Sequence, residues 1–311
     1  MQVDDSPVGI IAGAGALPRT IIDKLQSQGR TVRAVAMSGQ CDPATVATVD
    51  HVWARIGQPG KIVRLFHRWG VKRFCMSGKV IRPRLRSLWP DWRGLRFVIA
   101  TPFWRMGDAQ LLDAVAKAFQ GHGLELMGPL EICPELARPA GPVGRHGMPA
   151  ALAADVALGL DAALAHGRAD RGQAVVVAGG TVVGRENESH TDAMLAGLGP
   201  EAAGGVLVKL PKPQQDLRLD PPTIGTLTVE AAARSGLAGI IVAADSTVII
   251  DPAAVARAAD AAGLFVEVLD VAGRWPATEG RTTETAPARR RKSAAEDVSS
   301  APVGAQEAPD R

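Results

Sequence analysis

The stretch from Val8 to Met37 constrains the fold of this chain more than any other. Val8-Gly-Ile-Ile-Ala12 is a short apolar run bounded by a turn signal, which reads as a buried strand. Gly13-Ala-Gly-Ala-Leu-Pro18 follows, then an amphipathic helix from about Arg19 to Gln28, then a second strand from Thr31 to Met37. Strand, helix and strand in that order make a βαβ unit, so the sheet is expected to be parallel. The glycine turn feeds a helix N-terminus, whose free N–H groups and partial positive charge suit a phosphate. Gly13 and Gly15 are therefore candidate ligand contacts. The dinucleotide fingerprint is incomplete, because Pro18 stands where its third glycine belongs and Ala36-Met37-Ser38 lacks the ribose-binding acid. A generic nucleotide or phosphate turn, or a plain tight strand–helix turn, fits better than an NAD site.

The first half continues in the same manner. A helix is expected from Gly57-Gln-Pro-Gly-Lys-Ile62 to about Trp69, and a strand from Val71 to Met76. Ser77-Gly-Lys-Val-Ile-Arg-Pro83 lies at that strand's carboxyl end, where open parallel sheets bind ligands, so Lys79 and Arg82 are candidate phosphate contacts. Arg82 to Trp104 mixes basic and aromatic residues, as a lipid-headgroup interface or an ordinary loop–helix segment would. Gly107-Asp108 opens a further helix, and Leu124 to Met127 is a short strand. Residues 1–135 read as an N-terminal nucleotide- or phosphate-binding domain, and the Pro- and Gly-rich residues 136–149 read as a linker.

Residues 150–272 repeat the α/β pattern: an Ala-rich helix to about Ala165, strands at Ala174–Ala178, Gly239–Ala243, Thr247–Ile250 and Leu264–Leu269, and helices between them. Gly179-Gly-Thr-Val-Val183 is expected to continue the first of these strands after a kink. Glu186-Asn-Glu-Ser-His-Thr-Asp192 crowds four ionisable side chains into one loop, more than helix capping needs. From 273 to 311 the composition turns to Thr, Glu, Ala, Pro, Ser and Arg, a disordered tail with a basic cluster at Arg289–Lys292. The fold class is thus α/β: a Rossmann-like βαβ domain followed by a second, C-terminal α/β domain.

Between the last two features runs Lys209-Leu-Pro-Lys-Pro-Gln-Gln-Asp-Leu-Arg-Leu-Asp-Pro-Pro-Thr-Ile-Gly225. Asp216, Arg218 and Asp220 occupy alternate positions, so a strand would put all three on one face. A helix would pair Asp216 with Asp220, but Pro221 favours extended geometry for Asp220. Either way two carboxylates meet beside basic groups, which suits a divalent metal acting on a phosphate. Net charge of +3 fits anionic ligands or a membrane surface but is too weak to argue for nucleic acid, and aromatics at 4% supply few stacking platforms. Cys41, Cys75 and Cys133 show no metal-ligand spacing and read as buried thiols of a cytosolic protein. No run approaches a membrane span or a secretory signal, so the protein is expected in the cytoplasm.

Taken together and in order, several motifs resemble the UDP-2,3-diacylglucosamine pyrophosphatases of lipid A synthesis, of the alphaproteobacterial type. The carriers are Ile11-Ala-Gly-Ala-Gly-Ala-Leu-Pro18, Gly60-Lys61, Ser77-Gly-Lys-Val-Ile-Arg-Pro83, Gly107-Asp108 with Leu111-Leu112, Thr191-Asp-Ala-Met-Leu195, and Lys212-Pro-Gln-Gln-Asp-Leu-Arg-Leu-Asp220 with Pro222-Thr-Ile-Gly225. The resemblance implies that residues 1–135 are a lid-like domain and residues 150–272 the catalytic domain, with the lipid held between them. It implies Mg²⁺-dependent hydrolysis (Mn²⁺ being an alternative) of UDP-2,3-diacylglucosamine to UMP and 2,3-diacylglucosamine 1-phosphate, with water attacking the sugar-side phosphorus. It implies catalytic roles for Asp220, Asp216 and Asp192, and metal ligation by Asp220, Asp216 and Glu186. Substrate contacts fall on Gly13, Gly15, Leu17, Pro18, Lys61, Lys79, Arg82, Thr191, Lys212, Gln215 and Arg218. Peripheral contact with the inner leaflet of the inner membrane follows from the acylated substrate, with homodimer formation left open.

The sequence departs from the family pattern twice. Ser189-His-Thr-Asp192 stands for Glu-Gly-Thr-Asp, and Gly107-Asp-Ala109 for Gly-Asp-Asp, so two carboxylates are absent. Glu186 or Glu188 would have to supply the first. Two other classes remain: a catalytically weak relative that binds a nucleotide-sugar lipid in a regulatory or scaffolding role, and a Rossmann-type oxidoreductase, which the broken glycine fingerprint disfavours.

Overall fold

The computed structural model describes residues 5–80, 108–187 and 190–271. The basic–aromatic segment around Arg82, the Glu188–Ser189 pair and the tail lie outside them.

The first half builds a five-stranded, all-parallel sheet from β1 (Val8–Ala12), β2 (Val32–Met37), β3 (Asp50–Ala54), β4 (Arg73–Ser77) and β5 (Glu125–Leu126), in the order β3-β2-β1-β4-β5. Helices α1 (Leu17–Ser27), α2 (Pro43–Val46), α3 (Pro59–Arg68), α4 (Asp108–Gln120) and α5 (Pro129–Ile132) cover it. All five residues of β1 are buried, as a central parallel strand requires. Alternate side chains serve opposite faces: Val8 and Ile10 pack with Ile21, Ile22 and Leu25 of α1. Ile11 packs with Ile62, Val63 and Phe66 of α3 and with Phe74 and Phe119. The chain leaves β1 toward β2 on one side and returns to β4 on the other. The carboxyl ends of β1 and β4 therefore flank the crossover point where such sheets take ligands. The short α2 and β3 have no strong periodicity in the sequence and were not expected.

The second half forms a six-stranded mixed sheet from β6 (Gly141–Pro142), β7 (Ala174–Ala178), β8 (Thr181–Arg185), β9 (Val206–Lys209), β11 (Gly239–Ala243) and β13 (Phe265–Leu269). Its order is β6-β13-β11-β9-β7-β8. Helix α6 (Ala153–Arg168) covers one face, against Val175, Val177, Val208 and Ile241. The other face packs with α7 (His190–Ala196), α8 (Thr226–Arg234) and α9 (Pro252–Ala262) through Leu195, Val229 and Val255. Two expectations are corrected here. Gly179 and Gly180 do not prolong β7: both take positive φ, 57° and 75°, and turn the chain back into the antiparallel β8. The Asp155 carboxylate accepts hydrogen bonds from both their N–H groups at 2.9 and 2.7 Å and fixes that turn. Within residues 136–149, Gly141–Pro142 pairs with Glu267 and Val268, so this connection is partly built into the second sheet.

The stretch from Lys209 to Gly225 runs between the two sheets. It ends in β10 (Thr223–Ile224), which pairs in parallel with β12 (Val248–Ile249). Leu219 packs in the cluster that holds Ile11 and Phe74, while Ile224 belongs to the core of the second sheet. Residues 213–219 follow turns and loop, neither strand nor helix, so the strand geometry expected for Asp216, Arg218 and Asp220 is not formed. The reason is local. Pro211, Pro213, Pro221 and Pro222 have no N–H to give a ladder, and the Asp216 carboxylate takes the backbone N–H of Arg218 at 2.9 Å.

Candidate functional site

Two loops meet at the carboxyl ends of β1 and β4. Gly13 N–H donates to the Ser77 carbonyl at 2.8 Å, and Ala14 and Lys79 exchange backbone hydrogen bonds at 2.8 and 2.9 Å. Gly78 has φ of +86°, and a Cβ there would sit 2.6 Å from the Ala14 carbonyl oxygen and 2.7 Å from Pro18 Cγ. Only glycine permits that approach. The glycine turn is thus clamped to the Ser77–Lys79 loop, with Gly15 at φ +96° at its tip. Other residues expected to contact substrate here have different places. Leu17 is buried in the core beneath α1 and Pro18 is buried beside it, so both support the turn from below. Lys61 donates from Nζ to the Trp53 carbonyl at 2.8 Å, and Lys79 is exposed. Arg82 lies outside the described residues.

The second group of residues gathers around Asp220. Gln215 is 7% exposed and donates from Nε2 to Asp220 Oδ2 at 3.0 Å and to the Asp220 carbonyl. Its Oε1 accepts the Lys212 N–H at 3.0 Å. Lys212 forms an ion pair from Nζ to Asp170 at 2.7 Å, just beyond the end of α6. Asp220 is open to solvent on one side and closely surrounded on the others. Desolvation there pushes its carboxyl above the ordinary range against the pull of Lys209 and Lys212, the Glu186 charge adds to the rise, and the Gln215 hydrogen bond opposes it.

Glu186, the last residue before the polar loop, is buried. Its Oε2 accepts the Gln173 N–H at 2.7 Å and its Oε1 the Thr191 hydroxyl at 2.7 Å. Thr191 Oγ1 in turn accepts a hydrogen bond from Lys209 Nζ at 3.1 Å. Lys209 entered the sequence reading only as one of the basic groups of the 209–225 stretch, and Asp170 was not singled out. Lys209 ends a strand that shows only as four apolar-to-basic residues, and Asp170 is remote in sequence from its partner. Asp192 is exposed in the first turn of α7. His190 stands at φ +68°, a left-handed conformation that glycine adopts freely and a histidine adopts at a cost.

Asp216 is turned away from this group. Burial would raise its carboxyl, but two-point hydrogen bonding from the Arg218 guanidinium, the Arg218 N–H and the Arg218 charge together hold it below the ordinary range. Arg218 packs its backbone on Gly128, beside the end of β5, and its charge faces Glu131 and Asp113 of the first half. Asp216 and Arg218 therefore form a clamp between the halves, and the expected trio of Asp220, Asp216 and Glu186 is not brought together. Among the described residues no group of three or more His, Cys, Asp or Glu side chains is gathered as a metal cage.

A single divalent ion nevertheless fits the donor set. Around Asp220 stand Glu186, Lys209 and Lys212, and the Lys212 charge is already met by its ion pair with Asp170. Asp220 Oδ1 has no protein hydrogen bond among those of the described residues. One carboxylate, with water and substrate phosphate oxygens, is the manner in which Mg²⁺ is usually held.

Fold and site define a two-domain α/β protein with a clamped glycine turn at the strand ends of one sheet and a lysine–carboxylate cluster at the carboxyl ends of β8 and β9 in the other. The family models for the LpxI N-terminal domain and the LpxI C-terminal domain match residues 7–136 and 139–267. The chain belongs to the LpxI family. It is 37% identical over 276 residues to the UDP-2,3-diacylglucosamine pyrophosphatase LpxI of Caulobacter vibrioides, covering 85% of this chain and 97% of that protein. Among solved structures, the biotin carboxylase subunit of pyruvate carboxylase aligns over 59% of this chain and 38% of its own length, at 15% identity and a TM-score of 0.23. That likeness is too slight to bear on fold or function.

Proposed function

We infer that this protein hydrolyses the pyrophosphate bond of UDP-2,3-diacylglucosamine, giving UMP and 2,3-diacylglucosamine 1-phosphate, with Mg²⁺ or Mn²⁺ held through Asp220. Membership of the LpxI family supports the substrate. The observation that carries the chemistry is the Asp220 carboxylate, fixed through one oxygen by Gln215 and flanked by Lys209 and Lys212. Gln215 orients the carboxylate and leaves its second oxygen for water or a cation. A bound divalent ion supplies Lewis-acid polarisation of the phosphoryl oxygens. The lysines offset the charge that develops as the water oxygen bonds to the sugar-side phosphorus and the bridging P–O bond breaks, its electron pair leaving on UMP. In this reading the free Asp220 oxygen holds the cation, and the attacking water gives up its proton to solvent.

The same reading puts the protein at the cytoplasmic side of the inner membrane in peripheral contact with its acylated substrate. Among the described residues one helix, Ala150–Arg168, is long and apolar enough to cross a membrane, and 44% of it is buried inside the protein. It lies against the second sheet, which suits a core helix.

The test is incubation of purified protein with UDP-2,3-diacylglucosamine and Mg²⁺ in ¹⁸O-labelled water. UMP should appear, stop with EDTA, and leave the label in 2,3-diacylglucosamine 1-phosphate. Label in UMP would move the attack to the other phosphorus. Tight binding without UMP would make the protein a non-hydrolytic relative.

A further inference from the structure

Lys209 ends β9 and is only 8% exposed. A buried ammonium is costly unless its charge and its donors are engaged. Among the described residues its one hydrogen-bond partner is the neutral hydroxyl of Thr191, and none of the ion pairs formed by the described residues involves it. Two of its three N–H donors are left for something else. The Thr191 hydroxyl has no freedom of its own, because it donates to Glu186 Oε1, and Glu186 is fixed at its other oxygen by the Gln173 N–H. Thr191 is 4% and Glu186 5% exposed. A line of hydrogen bonds therefore runs from the Lys209 ammonium to Thr191 and on to Glu186, which Gln173 holds from the other side, and it starts from a cation with open donors. An apolar residue at 209 would close the strand without this cost. A tetrahedral anion with several acceptor oxygens is the ligand such an ammonium suits.

We propose that Lys209 is a phosphate-binding residue of the active site, contacting the diphosphate of the substrate, and that Thr191 and Glu186 are positioning residues that hold its ammonium. The assignment rests on the pyrophosphatase reading, and it removes Thr191 from the substrate contacts and Glu186 from the metal ligands.

The experiment compares UMP release by full-length wild type with that by Lys209→Met, Lys209→Arg, Thr191→Val and Thr191→Ser. Each is paired with a melting curve and with calorimetric binding of inorganic pyrophosphate. Lys209→Met is expected to lower kcat/KM by about 100-fold in a folded protein and to weaken pyrophosphate binding. Arginine should restore part of the loss. Thr191→Val should cost about 10-fold and Thr191→Ser should recover most of it, since serine keeps the hydroxyl. If Lys209→Met does not fold, the valine–serine comparison carries the test. Retention of kcat/KM within about threefold by Lys209→Met, or equal losses for Thr191→Val and Thr191→Ser, would overturn the assignment. Should wild type release no UMP yet bind pyrophosphate in a Lys209-dependent way, the hydrolase reading falls and the Lys209 assignment stands.

Discussion

Replacing Glu186 by Gln separates two roles for its carboxylate. In the structure both oxygens accept hydrogen bonds, from the Gln173 N–H and the Thr191 hydroxyl, each at 2.7 Å. An amide keeps the shape but offers one acceptor in place of two. If its oxygen faces Gln173, its NH₂ faces Thr191, which must then accept from both Lys209 and the amide and leave its own proton unpaired. Losing one charge-assisted hydrogen bond in a buried setting costs about 2 kcal/mol. Relief of the repulsion that Glu186 exerts on Asp220 works in the other direction. It acts on a carboxylate open to solvent on one side and returns about 0.5 kcal/mol. The net loss of about 1.5 kcal/mol corresponds to a fall of about 2.5 °C in melting temperature for a protein of this size. The assay is a thermal melt in EDTA, followed by a second with Mg²⁺. The account predicts the fall in EDTA and an intact Mg²⁺-induced shift. An unchanged melt in EDTA together with a lost Mg²⁺ shift would refute it and make Glu186 a metal ligand.

Gly78→Ala forces a side chain into a left-handed backbone and against the Ala14 carbonyl, so a loss of about 3 kcal/mol and displacement of the glycine turn are expected in a urea titration. His190→Gly relieves a positive φ but adds freedom to the unfolded chain; stability should change by less than about 1 kcal/mol and UMP release by less than about twofold. Asp216 has a carboxyl held low in the folded state, so its contribution is present above its unfolded pKa and lost as pH falls through the folded value. Asp216→Asn should therefore lower the melting temperature at neutral pH and flatten its decline in acid, and an unaltered acid limb would contradict the Arg218 clamp.

The sequence made the first domain readable because β1, α1 and β2 follow one another closely, and each carries an apolar pattern of the right period. The parallel order of that sheet followed from local connection rules. What lay beyond it were the consequences of contacts distant in sequence. Arg218 lies two residues from both Asp216 and Asp220, and only its packing on the distant Gly128 shows that it pairs with the first while Gln215 holds the second. Prolines, visible throughout residues 211–222, argued against a strand more strongly than the alternation of Asp216, Arg218 and Asp220 argued for one. Leu17 and Pro18 were attractive as part of a ligand turn, but an apolar side chain beneath a parallel sheet is first of all core. Lys209 was read only as one of several basic groups in its stretch, because a single lysine at the end of a short strand looks like solvent-facing charge. Only its burial beside Thr191 and Glu186 gives it meaning.

Asp220 carries the account, and Asp220→Asn tests it with least disturbance, since the amide can keep a hydrogen bond with Gln215 while losing the charge. Single-turnover release of UMP from UDP-2,3-diacylglucosamine, at saturating Mg²⁺ and with enzyme in excess, should fall by about 1,000-fold with the melting temperature maintained. A folded Asp220→Asn protein that releases UMP at the wild-type rate would contradict the central claim.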